Sequence, residues 1–124
     1  MRKEIEFIGI DNSRKLKQAG IKVKANFYWY FPKGKPKPIL IPVEKTVPFM
    51  NTLPAYSITE LGMMIPWGYF QSMLIHKYPG KYFQVYIDAE WITFQTEVEA
   101  RAAFLIHLLE KGDVKPEEIN HPKI

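Results

Sequence analysis

The chain has 124 residues, of which 47% are hydrophobic and 15% aromatic; this composition predicts a single domain with its own core and excludes an intrinsically disordered chain. The absence of cysteine excludes disulfides, thiolate nucleophiles and zinc–thiolate sites, and it favours the reducing cytoplasm. The formal net charge is +4, with +7 carried by residues 1–50 and −3 by residues 51–124. That polarity attracts an anionic partner, unless the two halves face each other in the fold.

The N-terminal half contains one long stretch of alternating residues. Ile21 to Phe31 alternates apolar with polar or phenolic side chains, which predicts a strand with one buried and one solvated face. A shorter strand is predicted from Glu4 to Ile10, with Ile5 and Phe7 facing inward. Between the two, residues 11–20 begin with capping residues and end in glycine, which is typical of a single helical turn or a wide loop.

Proline determines the expectations for the middle of the chain. Residues 32–38 contain three prolines and three lysines, and because proline lacks an amide donor this segment is predicted to be a surface loop. Ile39 to Val43 is predicted to be an edge strand, since Pro42 is poorly tolerated in a central one. The stretch from there through Pro48 and Pro54 is predicted to be an irregular connection.

The second half has clearer local signals. Ser57-Ile58-Thr59-Glu60 is a capping-box pattern, so a short helix is predicted to start there and to end before Pro66. Strands are predicted over Ser72–Tyr78, Lys81–Asp88 and Trp91–Gln95, joined by a Pro79-Gly80 turn and a tight turn at residues 88–90. Together they predict a three-stranded antiparallel meander.

A long C-terminal helix completes the expected fold. Thr96-Glu97-Val98-Glu99 is a second capping-box pattern, and apolar residues recur at helical spacing until Gly112, which is placed as a C-terminal cap. Residues 113–124 are expected to be a flexible tail. The predicted fold is therefore one α+β domain, with the meander and the N-terminal strands packed by the long helix.

The segment Ser57–Pro66 resembles the start of small uncharacterised proteins of bacterial phages and mobile elements, which often begin with a Leu-Thr-x-x-Glu-Leu-x-x-x-Leu-Pro helix. Five positions hold the corresponding kinds of residue: Ile58, Thr59, Leu61, Ile65 and Pro66. The resemblance covers roughly residues 55–111, including the meander and the terminal helix. It implies a genomic setting, and it carries over no activity and no functional residue.

The sequence contains no recognisable catalytic or metal-binding motif. Neither a phosphate-binding glycine loop nor a Gly-x-Ser-x-Gly motif is present. The histidines, His76, His107 and His121, lack a spacing that would put two imidazoles on one metal. His107 is expected to pair with Glu110 one turn on. Asp88 and Glu90 flank a turn, where acidic residues are common for backbone reasons. No cofactor is predicted, and a non-enzymatic protein is favoured over a small hydrolase.

Basic and aromatic residues are combined most densely between residues 22 and 37. Amines neutralise phosphates and phenol rings stack on unpaired bases, which is the chemistry of single-strand binding. The candidate nucleic-acid-binding residues are Lys22, Lys24, Tyr28, Tyr30, Lys33, Lys35 and Lys37. Cross-strand pairing with Glu4 and Glu6 is the structural alternative for the first two lysines.

A second hypothesis concerns protein partners. Trp67, Tyr69 and Phe70 are clustered in a segment predicted to be a loop, and such aromatic clusters mark interfaces when they are exposed. The sequence therefore favours a binding or accessory protein of a phage or mobile element that contacts nucleic acid. A protein-interaction module or homodimer that uses exposed aromatics is the alternative, and a small hydrolase is the third choice.

Overall fold

The computed structural model describes residues 6–78 and 80–120 of the chain. This part forms five α-helices and six strands, and the strands make two separate three-stranded antiparallel sheets. The predicted α+β class is confirmed, with a meander, a short helix before it and a long helix after it. In chain order the elements are α1 (Ile10–Gln18), β1 (Phe27–Tyr30), β2 (Ile39–Pro42), β3 (Thr52–Pro54), α2 (Ile58–Met64), α3 (Trp67–Ser72), β4 (Ile75–Tyr78), β5 (Tyr82–Ile87), β6 (Glu90–Phe94), α4 (Glu97–Lys111) and α5 (Pro116–Asn120).

The meander of β4, β5 and β6 packs one face on α4. Val85 and Ile87 are buried, whereas Tyr86 between them is exposed, as the period-two alternation of β5 predicts. The β5–β6 turn places Asp88 and Ala89 at φ 50° and 64°, the left-handed pair that a two-residue hairpin requires. Gly80 has φ +77°, which suits the predicted turn; Pro79 lies outside the described residues.

Helix α4 begins and ends where its caps predict. The Thr96 hydroxyl accepts the amide of Glu99, and Gly112 takes the left-handed conformation at the C-terminus. The second half of the predicted capping box is wrong, because the Glu99 carboxylate does not turn back to Thr96. It accepts instead from the Gly9 amide and the Asn12 side-chain amide, at the start of α1, where a negative charge also complements the helix dipole.

Gly112 provides a stability prediction with an internal control. Its φ of +77° is unfavourable for any residue with a Cβ, so Gly112→Ala should lower the free energy of unfolding by about 1 kcal/mol. Gly68 lies in α3, is not among the glycines with positive φ, and has open space where a Cβ would be. Gly68→Ala should therefore leave stability unchanged or slightly raised in the same urea titration. Equal losses in the two variants would contradict the prediction.

The predicted strand from Ile21 to Phe31 is wrong over its first part, because β1 covers only Phe27–Tyr30. Side chains from other parts of the fold take the place of a neighbouring strand. The Lys22 amide donates to Asn120 Oδ1 (2.6 Å), and the Asn26 amide donates to Glu60 Oε2 (3.0 Å). A segment whose backbone is satisfied in this way has no need of a strand partner.

Four other local expectations are corrected. Residues 10–18 form a nine-residue helix where one turn or a loop is predicted. Thr52–Pro54, expected to be irregular, is a strand paired with β1. Residues 67–72 are helical, so β4 begins later than predicted. In the predicted N-terminal strand, Phe7 makes a single bridge to Ser57; Glu4 and Ile5 lie outside the described residues.

The end of the described chain returns to the N-terminal half. In the stretch assigned to a tail, α5 forms, and Val114 and Ile119 are buried. Asn120 holds α5 in place, since its side-chain amide donates to the Gly20 carbonyl (2.8 Å) while its oxygen accepts the Lys22 amide. One continuous core joins these parts, including Ile8, Leu16, Tyr56, Leu61, Val85, Leu105 and Ile119.

Candidate binding surfaces

The candidate lysines of the first half are all exposed, whereas the two tyrosines are half-buried. Lys22 and Lys24 lie before β1, in a segment that is neither helix nor strand. The other three occupy residues 32–38, which connect β1 to β2 and are called the basic loop here. Tyr28 packs against the core, and its hydroxyl accepts the Ala25 amide at 3.2 Å. Both phenols, expected on the outer face of the strand, are thus partly covered.

A groove of about 380 Å³ runs beside β1 and brings two of the predicted residues together. We call it the basic groove, and its main lining residues are Lys17, Lys22, Tyr28, Thr52, Pro54 and Tyr56. Lys17 comes from the last turn of α1, and Thr52 and Pro54 come from β3. The groove combines two amines, a hydroxyl and aromatic surface, which suits an anionic ligand that carries a planar ring.

The basic groove continues toward the basic loop. Tyr30 is directly opposite Thr52 in the β1–β3 register, and directly opposite residues project on the same face of a sheet. Tyr30 is also two residues from Tyr28, which puts the two rings on one face about 7 Å apart. The strand ends there and the basic loop follows. The chain therefore leads from the basic groove through β1 into the basic loop.

The positive charge of this region is not neutralised by nearby acids in the described residues. Ion pairs within 4.0 Å involve Lys77, Arg101, His107 and Lys111, all in the second half. Between residues 6 and 78, no lysine of the basic groove or the basic loop has such a partner. The predicted pairing of Glu6 with Lys22 or Lys24 is therefore not formed; Glu4 lies outside the described residues.

Tyr56 forms the buried floor of the basic groove. The residue is fully buried, and its hydroxyl donates to the Val23 carbonyl. Burial raises the pKa of this hydroxyl well above its usual value, and the nearby Tyr28 and Glu60 add to the effect. Tyr56 is therefore a neutral donor that fixes the segment carrying Lys22.

The predicted interface aromatics differ in exposure. Trp67 is 70% exposed, but Tyr69 and Phe70 are half-buried and pack against the core. Trp67 stacks on Phe70 with ring centroids 5.8 Å apart. The guanidinium carbon of Arg101 lies over the Phe70 ring, 5.5 Å from its centroid. Met63, four residues before Trp67 and near the end of α2, is 83% exposed. Trp67 and Met63 are thus the accessible apolar groups of this region.

The structure also shows an aromatic surface that the sequence pattern did not predict. Outward-facing rings from all three strands of the meander touch one another. The ring centroids of His76 and Trp91, which stack, are 3.9 Å apart, and those of Tyr78 and Tyr82 are 4.5 Å apart. Tyr86 meets Trp91 edge-on at 5.1 Å. The outward alternation of β5 was the signal that could have found it. Because the rings already occupy one another's faces, this surface stabilises the sheet through cross-strand pairs.

The histidines and acids that a hydrolase site would need converge only in part. The predicted partner of His107 is wrong, because its Nε2 lies 3.4 Å from Asp88 Oδ1 rather than beside Glu110. Lys111 Nζ lies 3.3 Å from the same oxygen. Asp88 is 64% exposed, so this cluster is an open surface contact that ties the β5–β6 turn to α4. His76 belongs to the aromatic surface instead, and His121 lies outside the described residues.

No group of three or more histidine, aspartate or glutamate side chains that could hold a metal ion occurs among residues 6–78 and 80–120. No helix in the same ranges is long and apolar enough to cross a membrane. No known protein family, curated protein or solved structure matches this chain. Any assignment of function therefore depends on the surfaces described above.

Proposed function

We propose that this protein binds single-stranded nucleic acid along the basic groove and the basic loop. The observation that carries the proposal is that Lys17 and Lys22 line one groove together with the half-buried Tyr28. The three lysines of the basic loop, which follows β1, have no acidic partner in the described residues. Amines at these positions neutralise successive phosphates, and the accessible parts of the two phenol rings contact bases.

A single strand suits this surface better than a duplex. Tyr28 and Tyr30 are half-buried, so their rings are reached by an unstacked base that enters the groove and not by a stacked base pair. No charged side chain other than lysine lines the groove, so the charged groups that a phosphate meets there are cations. We expect little sequence preference, since stacking and phosphate contacts are tolerant of base identity.

The direct test measures fluorescence polarisation of a labelled single-stranded oligonucleotide at low salt. Lys22→Glu should weaken binding about tenfold, because it replaces a phosphate contact with a repulsive charge. Lys81→Glu is the matched control: this lysine is also exposed, but it directly precedes β5 in the meander. The affinity of the Lys81→Glu variant for the oligonucleotide should stay within about twofold of that of the wild type. Equal losses in both variants, or no binding at low salt, would refute the site.

The cellular setting is part of the same proposal. The resemblance of residues 55–111 to phage and mobile-element proteins supports a role on the nucleic acid of such an element, and the lack of cysteine supports a cytoplasmic location.

A protein-interaction module is the second candidate, supported by the exposure of Met63 (83%) and Trp67 (70%). Side chains of this size are rarely left so open together unless a partner covers them. A homodimer formed through these residues predicts a mass in light scattering that rises with concentration and returns to that of the monomer in Trp67→Ser.

A further inference from the structure

We propose that a second groove, on the far side of Val23 from the basic groove, binds a basic segment of a partner polypeptide. We call it the acidic groove. One lysine or arginine of the partner would lay its aliphatic stem on the apolar lining and place its cation between Glu60 and Glu118. This site is independent of nucleic-acid binding, and its charge is of the opposite sign.

The size and lining of the acidic groove suit a long side chain. Its volume is about 440 Å³, within the range of ligand-binding sites. Apolar surface comes from Val23, Met63, Met64, Pro66 and Ile119. Methionine is flexible and polarisable, and it is common where one surface must adapt to varied peptide side chains. The lining therefore provides apolar contact without demanding one fixed shape.

Glu60 provides a carboxylate whose position is fixed before any ligand arrives. Its Oε1 accepts the Ser57 amide at 2.9 Å, as part of the α2 cap, and its Oε2 accepts the Asn26 amide at 3.0 Å. Each carboxylate oxygen accepts more than one hydrogen bond, so both oxygens keep capacity for an ammonium or a guanidinium. No side-chain entropy is lost at Glu60 on binding, because two amides already hold it.

Glu118 provides the second charge, from α5. It is exposed on α5 and has no ion pair within 4.0 Å in the described part of the chain. Its backbone is held, because the next residues, Ile119 and Asn120, are respectively buried and hydrogen-bonded to the Gly20–Lys22 segment. Two carboxylates facing an apolar groove complement a cation on an apolar stem, and they repel phosphate.

A polypeptide suits the surroundings better than a free amine. Met63 continues from the groove onto the open surface, and Trp67 follows Pro66 directly in the chain. Both side chains are exposed, so apolar surface extends beyond the volume that one amine fills. A segment with leucine next to its basic residue covers this surface while the cation occupies the groove.

The test follows the methionine methyl signals of the full chain by NMR while short peptides are added. A peptide with the repeating pair Leu-Arg should shift the Met63 and Met64 signals and leave those of Met50 and Met73, outside the groove, in place. Matched peptides with Glu in place of Arg, or Ser in place of Leu, should bind at least about fivefold more weakly. Equal binding of the Glu peptide would overturn the proposal.

Two neighbouring glutamates on α5 supply matched variants. Glu118→Lys should weaken binding of the Leu-Arg peptide about fivefold, the upper end of the range for one exposed ion pair. Glu117→Lys makes the same charge change on an exposed residue that does not line the groove. It should change the affinity for the Leu-Arg peptide less than about twofold. Equal effects of the two variants would overturn the site. Hexylamine binding as tightly as the peptide would overturn the polypeptide partner, and competition by a single-stranded oligonucleotide would overturn the independence of the two grooves.

Discussion

A fourfold rise in salt concentration should weaken single-strand binding by this protein about a hundredfold. Five lysines line the basic groove or occupy the basic loop, namely Lys17, Lys22, Lys33, Lys35 and Lys37. If each neutralises one phosphate, the logarithm of the binding constant falls with the logarithm of salt concentration at a slope of about −3.5. Polarisation titrations at several salt concentrations measure this slope directly.

The three loop lysines should account for more than half of that slope. When Lys33, Lys35 and Lys37 are all changed to Gln, two phosphate contacts are left in the basic groove. The slope should then be about −1.4, and the same fourfold rise in salt should weaken binding only about sevenfold. The loop lysines are exposed and make no ion pair in the described residues, so folding should be unaffected. An unchanged slope in this variant would show that the loop does not touch the strand.

Alkaline pH should destabilise the protein through Tyr56. Burial raises the pKa of its hydroxyl well above the usual value near 10. Above pH 10 the unfolded chain therefore loses a proton that the folded chain keeps, and the free energy of unfolding falls by about 1.4 kcal/mol for each further pH unit. Below pH 10 both states keep the proton, and this contribution is fully present. Urea titrations between pH 8 and pH 11 measure the fall.

The Tyr56→Phe variant separates this effect from the titration of other groups. It should lose about 1–2 kcal/mol at neutral pH, because the Val23 carbonyl loses its donor, and it should lack the contribution of Tyr56 to the alkaline fall. Tyr78→Phe, on the exposed face of the meander, should keep the wild-type profile. A wild-type alkaline slope in Tyr56→Phe would contradict the assignment. Because Tyr56 anchors the segment of Lys22, the same variant should also weaken single-strand binding.

Part of the site was readable from the order of residues, and part was not. Lys22 and Tyr28 were predicted to share a surface, and both line the basic groove, although they do so from a loop and a short strand rather than from one long strand. Thr52 and Tyr56 were missed because β3 was expected to be irregular. A three-residue strand that contains a proline is too short to show an alternating pattern.

Sequence alone determined the elements whose causes are local. These elements are the Ser57 and Thr96 caps, the end of α4 at Gly112 and the alternation of β5. Each depends on residues a few positions apart, so its geometry does not depend on tertiary contacts.

Tertiary structure decided whatever depends on distant partners. Residues 21–26 alternate like a strand, yet the amides of Lys22 and Asn26 donate to the side chains of Asn120 and Glu60. The side chain of Glu99 caps α1 and not its own helix. Both grooves lie where such distant segments meet, with Val23 between them. A periodic pattern records which side chains prefer burial, but the partner that satisfies a backbone amide is chosen only when remote parts of the chain pack together.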